Sequence, residues 1–214
     1  MLRQCSAWLL FCCLPAGAVI IDRIAVIVDK HVIKASDIER DLRSTQFLNR
    51  DPLDLSAQAK RKSAERLIDQ SVIREEMEQG AYSQASAADV EGMWKRLLAE
   101  RFGGSTTRLR VELAKYGLTQ EQLRTQLQWQ LDVLKFIDQR FRPGVLVTDD
   151  EVKSYYDQHT AELKQQFPQV TTYAGMEPKI LASLEGERLN QNFDQWIAEA
   201  RKRARIEYRQ GALQ

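Results

Sequence analysis

Arrangements of side chains that signal catalysis are nearly absent from this sequence. The only histidines are His31, at a turn, and His159. His159 follows Tyr155 and Tyr156 on a helical stripe, where an imidazole can act as a general base or a metal ligand. No second ligand or nucleophile stands at helical spacing from it, so it reads as an amphipathic side chain at the edge of a core. Asp149 and Asp150 form an acidic pair of the kind that holds a cation. They directly follow Thr148 at a helix start, however, where negative charge complements the helix dipole. The sequence lacks G-x-S-x-G, H-E-x-x-H, a phosphate-binding loop and a dinucleotide-binding glycine pattern. The expectation is a protein with no catalytic residue, no metal and no cofactor.

Large apolar side chains at helical spacing are abundant instead. Met93, Trp94, Phe102, Tyr116, Trp129 and Phe136 are candidates to line a groove for a polypeptide client. Trp196 belongs to the same set of aromatics. Each of these positions equally suits packing inside a core. The choice turns on whether the helices cover one another, because apolar surface left exposed usually marks a binding site.

The elements that must position these residues follow from periodicity and caps. Residues 19–28 read as a strand apolar on both faces, which predicts cover on both. Asp29-Lys30 makes a turn, Val32-Ile33 a return strand, and Ser36 with Glu39 a capping box that opens a helix. Ile38, Leu42, Thr45 and Leu48 form its inner stripe, and Asp51-Pro52 ends it. Ser56 opens a charged helix to Gly80, read as its left-handed cap. Ser86 starts another, closed by Gly103-Gly104. A short helix with Leu109, Leu113 and Tyr116 inward stops at Gly117. Thr119 and Gln122 form a second capping box, for a helix to about Arg140 with Leu123, Leu127, Leu131, Leu134, Ile137 and Phe141 inward. Thr148 and Glu151 form a third. Residues 167–178 read as a connector between Pro168 and Pro178. A last helix from about 179 then runs into Arg205–Arg209, which alternates like a strand with Ile206 and Tyr208 on one side. That strand needs a sheet, and only the opening hairpin offers one. The fold class expected is mainly α with a small β element, in which the N-terminal β-hairpin is joined by the C-terminal strand.

The first residues read as a secretory signal peptide over 1–18. Arg3 precedes an apolar run from Ala7 to Leu14, and Ala16-Gly17-Ala18 supplies the small-x-small pattern for cleavage after Ala18. The run is too short to span a membrane. Cys5, Cys12 and Cys13 all lie in this leader, so the mature chain would hold no disulfide and no thiolate metal site. Removing Arg3 balances the 31 basic side chains against the 30 acidic ones. That neutrality argues against a nucleic-acid partner, which calls for a basic face.

The opening segment DRIAVIVDKHVIKASDIERDL (22–42) resembles the N-terminal domain of the SurA family of periplasmic chaperones and parvulin-type peptidyl-prolyl isomerases. VTDDEVKSYYDQH (147–159) resembles the helix that leads toward the parvulin domain of that family. FDQWIAEARKRARIEY (193–208) resembles the closing helix and strand of the first domain. The similarity spans nearly all of 19–214, read as one chaperone domain closed by 179–209. The family implies a periplasmic, ATP-independent holdase for unfolded outer-membrane proteins, with no stable membrane insertion. The parvulin domain would lie where only connector 167–178 stands, so isomerase activity is expected to be missing. Two alternatives remain: a peptidyl-prolyl isomerase with an unfamiliar site, and an envelope adaptor with one fixed partner.

Overall fold

The computed structural model describes residues 22–209 and residue 211. The expected leader 1–18, with Ala16 and Ala18 at its cleavage site, lies outside the described residues. In chain order the elements are β1 (Ile24–Val28), β2 (His31–Lys34), α1 (Ala35–Asn49), α2 (Ala57–Gly80), α3 (Ala87–Phe102), α4 (Thr106–Lys115), α5 (Gln120–Phe141), α6 (Asp149–Gln166), α7 (Tyr173–Arg203) and β3 (Ile206–Tyr208). A 3-10 turn at Arg142–Gly144 separates α5 from α6. The molecule is mainly helical, with one antiparallel sheet in the order β2-β1-β3.

The sheet joins the two ends of the chain. β1 pairs with β2 through Val28↔His31 and Val26↔Ile33, and with β3 through Val28↔Ile206 and Val26↔Tyr208. Asp29 reverses the hairpin from the left-handed region, at φ 50°, a conformation that Asp tolerates better than most residues. The same residue secures β3. Its backbone N–H donates to the Arg205 carbonyl at 2.9 Å, and its carboxylate accepts from the Arg205 N–H at 3.0 Å. A register irregularity between Ile24 and Val26 lets the adjacent Ala25 and Val26 both face inward, where strict alternation would separate them. Cover on both faces is not complete: Ile24 and Val32 are 44% and 46% exposed. One helical layer lies under the sheet, and the other face is left partly open.

Local chemistry places most helix ends as expected. Ser86 with Asp89, Thr119 with Gln122, and Thr148 with Glu151 form reciprocal capping boxes at the starts of α3, α5 and α6. α1 differs. Its first residue is Ala35, and the Lys34 N–H donates to the Asp37 carboxylate at 3.0 Å. Ser36 bonds Asp22 rather than capping the helix. The inner face of α1 also differs, because Phe47, Asp41, Ser44 and Gln46 are buried while Thr45 and Leu48 are only half-buried. At the end of α2, Gly80 stays helical and Ala81 takes the left-handed position. Glycine serves there for close approach, since a Cβ on Gly80 would lie 2.2 Å from the Tyr82 ring. That ring in turn packs edge-on to Phe136.

The connector is shorter than residues 167–178. α7 begins at Tyr173, with the Thr172 hydroxyl as its cap, and Pro178 lies inside the helix. Proline there removes the bond to the Ala174 carbonyl, normally a reason for a helix to stop. Met176 and Ile180 straddle it, each 1% exposed, packed with Val152 and Leu163 of α6. Burial on both sides of the proline outweighs the lost bond.

Three apolar clusters hold the described chain. The first joins the sheet to α1, α2 and the end of α7 through Val26, Val28, Ile33, Ile38, Ile68 and Ala200. The second joins the end of α1 to α3, α4 and the start of α5 through Phe47, Trp94, Leu109, Leu113, Leu123 and Leu127. The third lies between α6 and the first half of α7. Phe136 ties α5 to α7 by packing on Trp196 at 5.4 Å between ring centroids.

Candidate functional site

The structure divides the six candidate client-binding residues into three groups. Trp94 and Phe136 are core residues, at 4% and 0% exposed. The Arg124 guanidinium covers the outer face of Trp94 at 4.0 Å, and Phe136 lies among Tyr82, Phe141 and Trp196. Neither can touch a client without unfolding, which corrects their assignment as groove residues. Phe102 and Tyr116 pack against Phe47, and the Tyr116 hydroxyl donates to the Asp51 carbonyl at 2.8 Å. They form the rim of the second cluster. They also line a cavity of about 550 Å³ whose other walls are mostly charged, with Arg50, Glu100, Arg101, Arg108 and Glu112. Met93 and Trp129 stand together on a more apolar open surface.

That surface is a groove of about 610 Å³ between α2, α5 and α7. Ile73 from α2, Trp129, Val133 and Leu134 from α5, and Phe193 and Ile197 from α7 make its apolar lining, with Met93 from α3 at one side. Leu134 is 60% exposed, although its spacing places it on the inner stripe of α5. The reason is the width of that stripe. α5 carries apolar residues over more of its circumference than one core can take, so Leu123, Leu127 and Phe136 are buried and 129, 133 and 134 are left over. Val133, Leu134, Phe193 and Ile197 were not among the sequence candidates. The excess width of the α5 stripe was the available signal for the first two, whereas Phe193 and Ile197 need the packing of α7 across the groove to be recognised.

A second cavity of about 350 Å³ continues the groove toward β2. Asp41, Gln70, Gln126 and Trp129 line both, so together they form one trough from His31–Ile33 to α7. Arg74 lies 4.4 Å above the Trp129 ring where the two meet. The charges in the walls are largely paired within the protein. Asp41, only 6% exposed, accepts from Arg66 at 2.6 Å, and Ser63 Oγ lies 2.7 Å from it. Asp69 accepts from Arg201 at 2.6 Å. Asp194 stands exposed at the rim.

Of the two histidines, His31 lies at the β2 end of this trough and His159 lies away from it on α6. His159 is half-buried, stacks on Tyr155 with 4.2 Å between ring centroids, and bonds the Tyr155 carbonyl through Nδ1 at 3.0 Å. Its backbone leaves helical geometry, which kinks α6 there. His31 Nε2 lies 2.9 Å from Glu75, and Glu78 is close enough that their ligand atoms fall within 4.8 Å of one another. The Lys30 ammonium sits on both carboxylates, at 2.9 and 3.4 Å. Its hydrogen bond, reinforced by those of His31 and Gln79, pulls the Glu75 carboxyl down to about 2. The arrangement ties the hairpin turn to α2. Among the described residues no helix is long and apolar enough to cross a membrane.

Compared with known proteins, the chain matches no family model and no curated protein.

Proposed function

We propose that the chain is an ATP-independent chaperone of the cell envelope that holds unfolded polypeptide segments in the groove between α2, α5 and α7. One observation carries the reading: Trp129, Val133, Leu134, Phe193 and Ile197 converge on an open groove that no described part of the chain fills. A contiguous apolar surface of this kind is a recognition site when its walls are rigid. Here the walls belong to helices locked by the first cluster and by the aromatic contacts around Phe136. The leader-like first 18 residues and the resemblance of 22–42 and 193–208 to the SurA family support a periplasmic setting and outer-membrane proteins as clients.

The test is suppression of aggregation. An outer-membrane protein diluted from urea should remain soluble in the presence of residues 19–214 and should aggregate in their absence, as followed by light scattering. Aggregation that proceeds unchanged in a several-fold excess of folded protein would overturn the proposal.

A further inference from the structure

The groove has a polar feature that apolar capture alone does not call for. Gln126 and Gln130 of α5 both line it, and both are half-buried. Neither carboxamide has a hydrogen-bond partner among the described residues. Gln122 continues the row one turn earlier, but its oxygen accepts from the Thr119 N–H at 2.8 Å and is committed to the helix cap. Gln70 faces the same trough from α2, with only a long contact of 3.4 Å to Asp41. Most neighbouring polar groups are satisfied: Asp41 by Arg66, Asp69 by Arg201, and Gln128 by the Ala85 carbonyl and Asp132. Gln126 and Gln130 are thus the unbonded neutral amides of the groove wall, alongside the buried Nε of Arg66, which also lacks a partner.

The spacing has a meaning of its own. Residues four apart on an α-helix are separated by about 6 Å along the axis. An extended polypeptide presents its backbone N–H and C=O groups to the same side every second residue, about 6.7 Å apart. Gln126 and Gln130 are therefore placed to meet two successive backbone units of an extended chain lying along α5. A carboxamide offers both a donor and an acceptor, so each can bond a peptide unit in either chain direction. Trp129 and Val133 lie beside the pair on the same helix and supply the apolar contact.

On the reading that the groove holds unfolded polypeptide, we propose that Gln126 and Gln130 recognise the client's main chain, so that affinity depends on free backbone amides as well as on apolar side chains. Recognition of this kind does not select by sequence or charge. It favours a segment that is extended and whose peptide groups are not already bonded in secondary structure.

The experiment measures fluorescence anisotropy of a short labelled peptide, apolar, uncharged and free of proline, against the folded chain. Its analogue carries N-methyl groups at alternate peptide bonds, which removes amide donors and keeps the side chains. Two hydrogen bonds of ordinary net strength correspond to roughly thirtyfold in affinity. The analogue should bind the unaltered chain about thirtyfold more weakly than the parent peptide. Gln126→Leu with Gln130→Leu should weaken the parent peptide by at least that factor and weaken the analogue, which keeps its carbonyl acceptors, by less, although the substitution makes the groove more apolar. Equal or tighter binding of the parent peptide by the double variant, or equal binding of both peptides by the unaltered chain, would overturn the role of the amides while leaving groove binding intact. If neither peptide binds the unaltered chain, both the amide role and the chaperone reading fail.

Discussion

Truncating the chain after Arg203 removes β3 and tests whether the ends of the molecule form one cooperative unit. Beyond the β1–β3 ladder itself, truncation removes three bonds at the ends of the strand. The Asp29 N–H loses the Arg205 carbonyl, the Ala25 carbonyl loses the Arg209 N–H at 2.9 Å, and the Asp29 carboxylate loses the Arg205 N–H. At about 1 kcal/mol net for each, these three bonds account for about 3 kcal/mol. Ile206 is half-buried against the first cluster, and its partial burial adds about 1 kcal/mol. The ladder bonds through Ile27 and Glu207 and the Tyr208 hydroxyl bond to Glu65 add to this, so the loss is at least about 4 kcal/mol. That is a large part of the 5–15 kcal/mol that usually separates a folded domain from its unfolded state. With a urea dependence of about 2 kcal/mol per molar, the unfolding midpoint should fall by at least about 2 M. The measurement is urea titration followed by far-ultraviolet circular dichroism. Ile206→Ala keeps the backbone ladder, so its midpoint should fall by only about 0.5 M. A truncated chain with an unchanged midpoint would show that β3 frays independently, and the seam would then hold nothing together.

Three further outcomes follow from the geometry. Phe136→Ala should destabilise the chain by about 3–5 kcal/mol, measured by the same titration, because it opens a cavity among Tyr82, Phe141 and Trp196. Leu134→Asp, at an exposed position, should leave the unfolding free energy within about 0.5 kcal/mol of its starting value and still abolish suppression of aggregation; retained activity would remove the groove from the mechanism. The Glu75 carboxyl is held at about 2 by Lys30, with help from His31 and Gln79, against an ordinary value of 4.5. Its contribution is therefore complete above about pH 4.5 and is lost as the pH falls through that window toward 2. The melting temperature should decline over that range less steeply in Glu75→Gln than in the parent chain, and identical slopes would refute the assignment.

Local signals were legible where the chain itself supplies both partners. Ser86 with Asp89, Thr119 with Gln122, and Thr148 with Glu151 are three residues apart, so sequence alone brings them together. Ser36 misled because its competitor is distant in sequence: Asp22 takes its hydroxyl, and Asp37 does the capping instead. Pro178 misled for a related reason. A helix-breaking residue was overruled by Met176 and Ile180, whose burial against α6 no local rule reports. In the candidate site, periodicity identified the apolar residues of α5 but not their division between core and groove. Phe136 and Trp129 are seven residues apart, close to two turns, and share a stripe, yet one faces α7 and the other faces open space beside Arg74.

Apolar period, caps and turn residues determined that this chain is helical and that its last strand returns to its first hairpin, since an alternating strand of three residues cannot stand alone. Only the tertiary structure decided which apolar residues are available. Burial is a property of neighbours, and the neighbours of Trp94 and Phe136 come from other helices, as do those whose arrangement leaves Leu134 and Trp129 open. A stripe on one helix fixes how much apolar surface must be covered. Whether it is covered depends on the shape of everything packed around it.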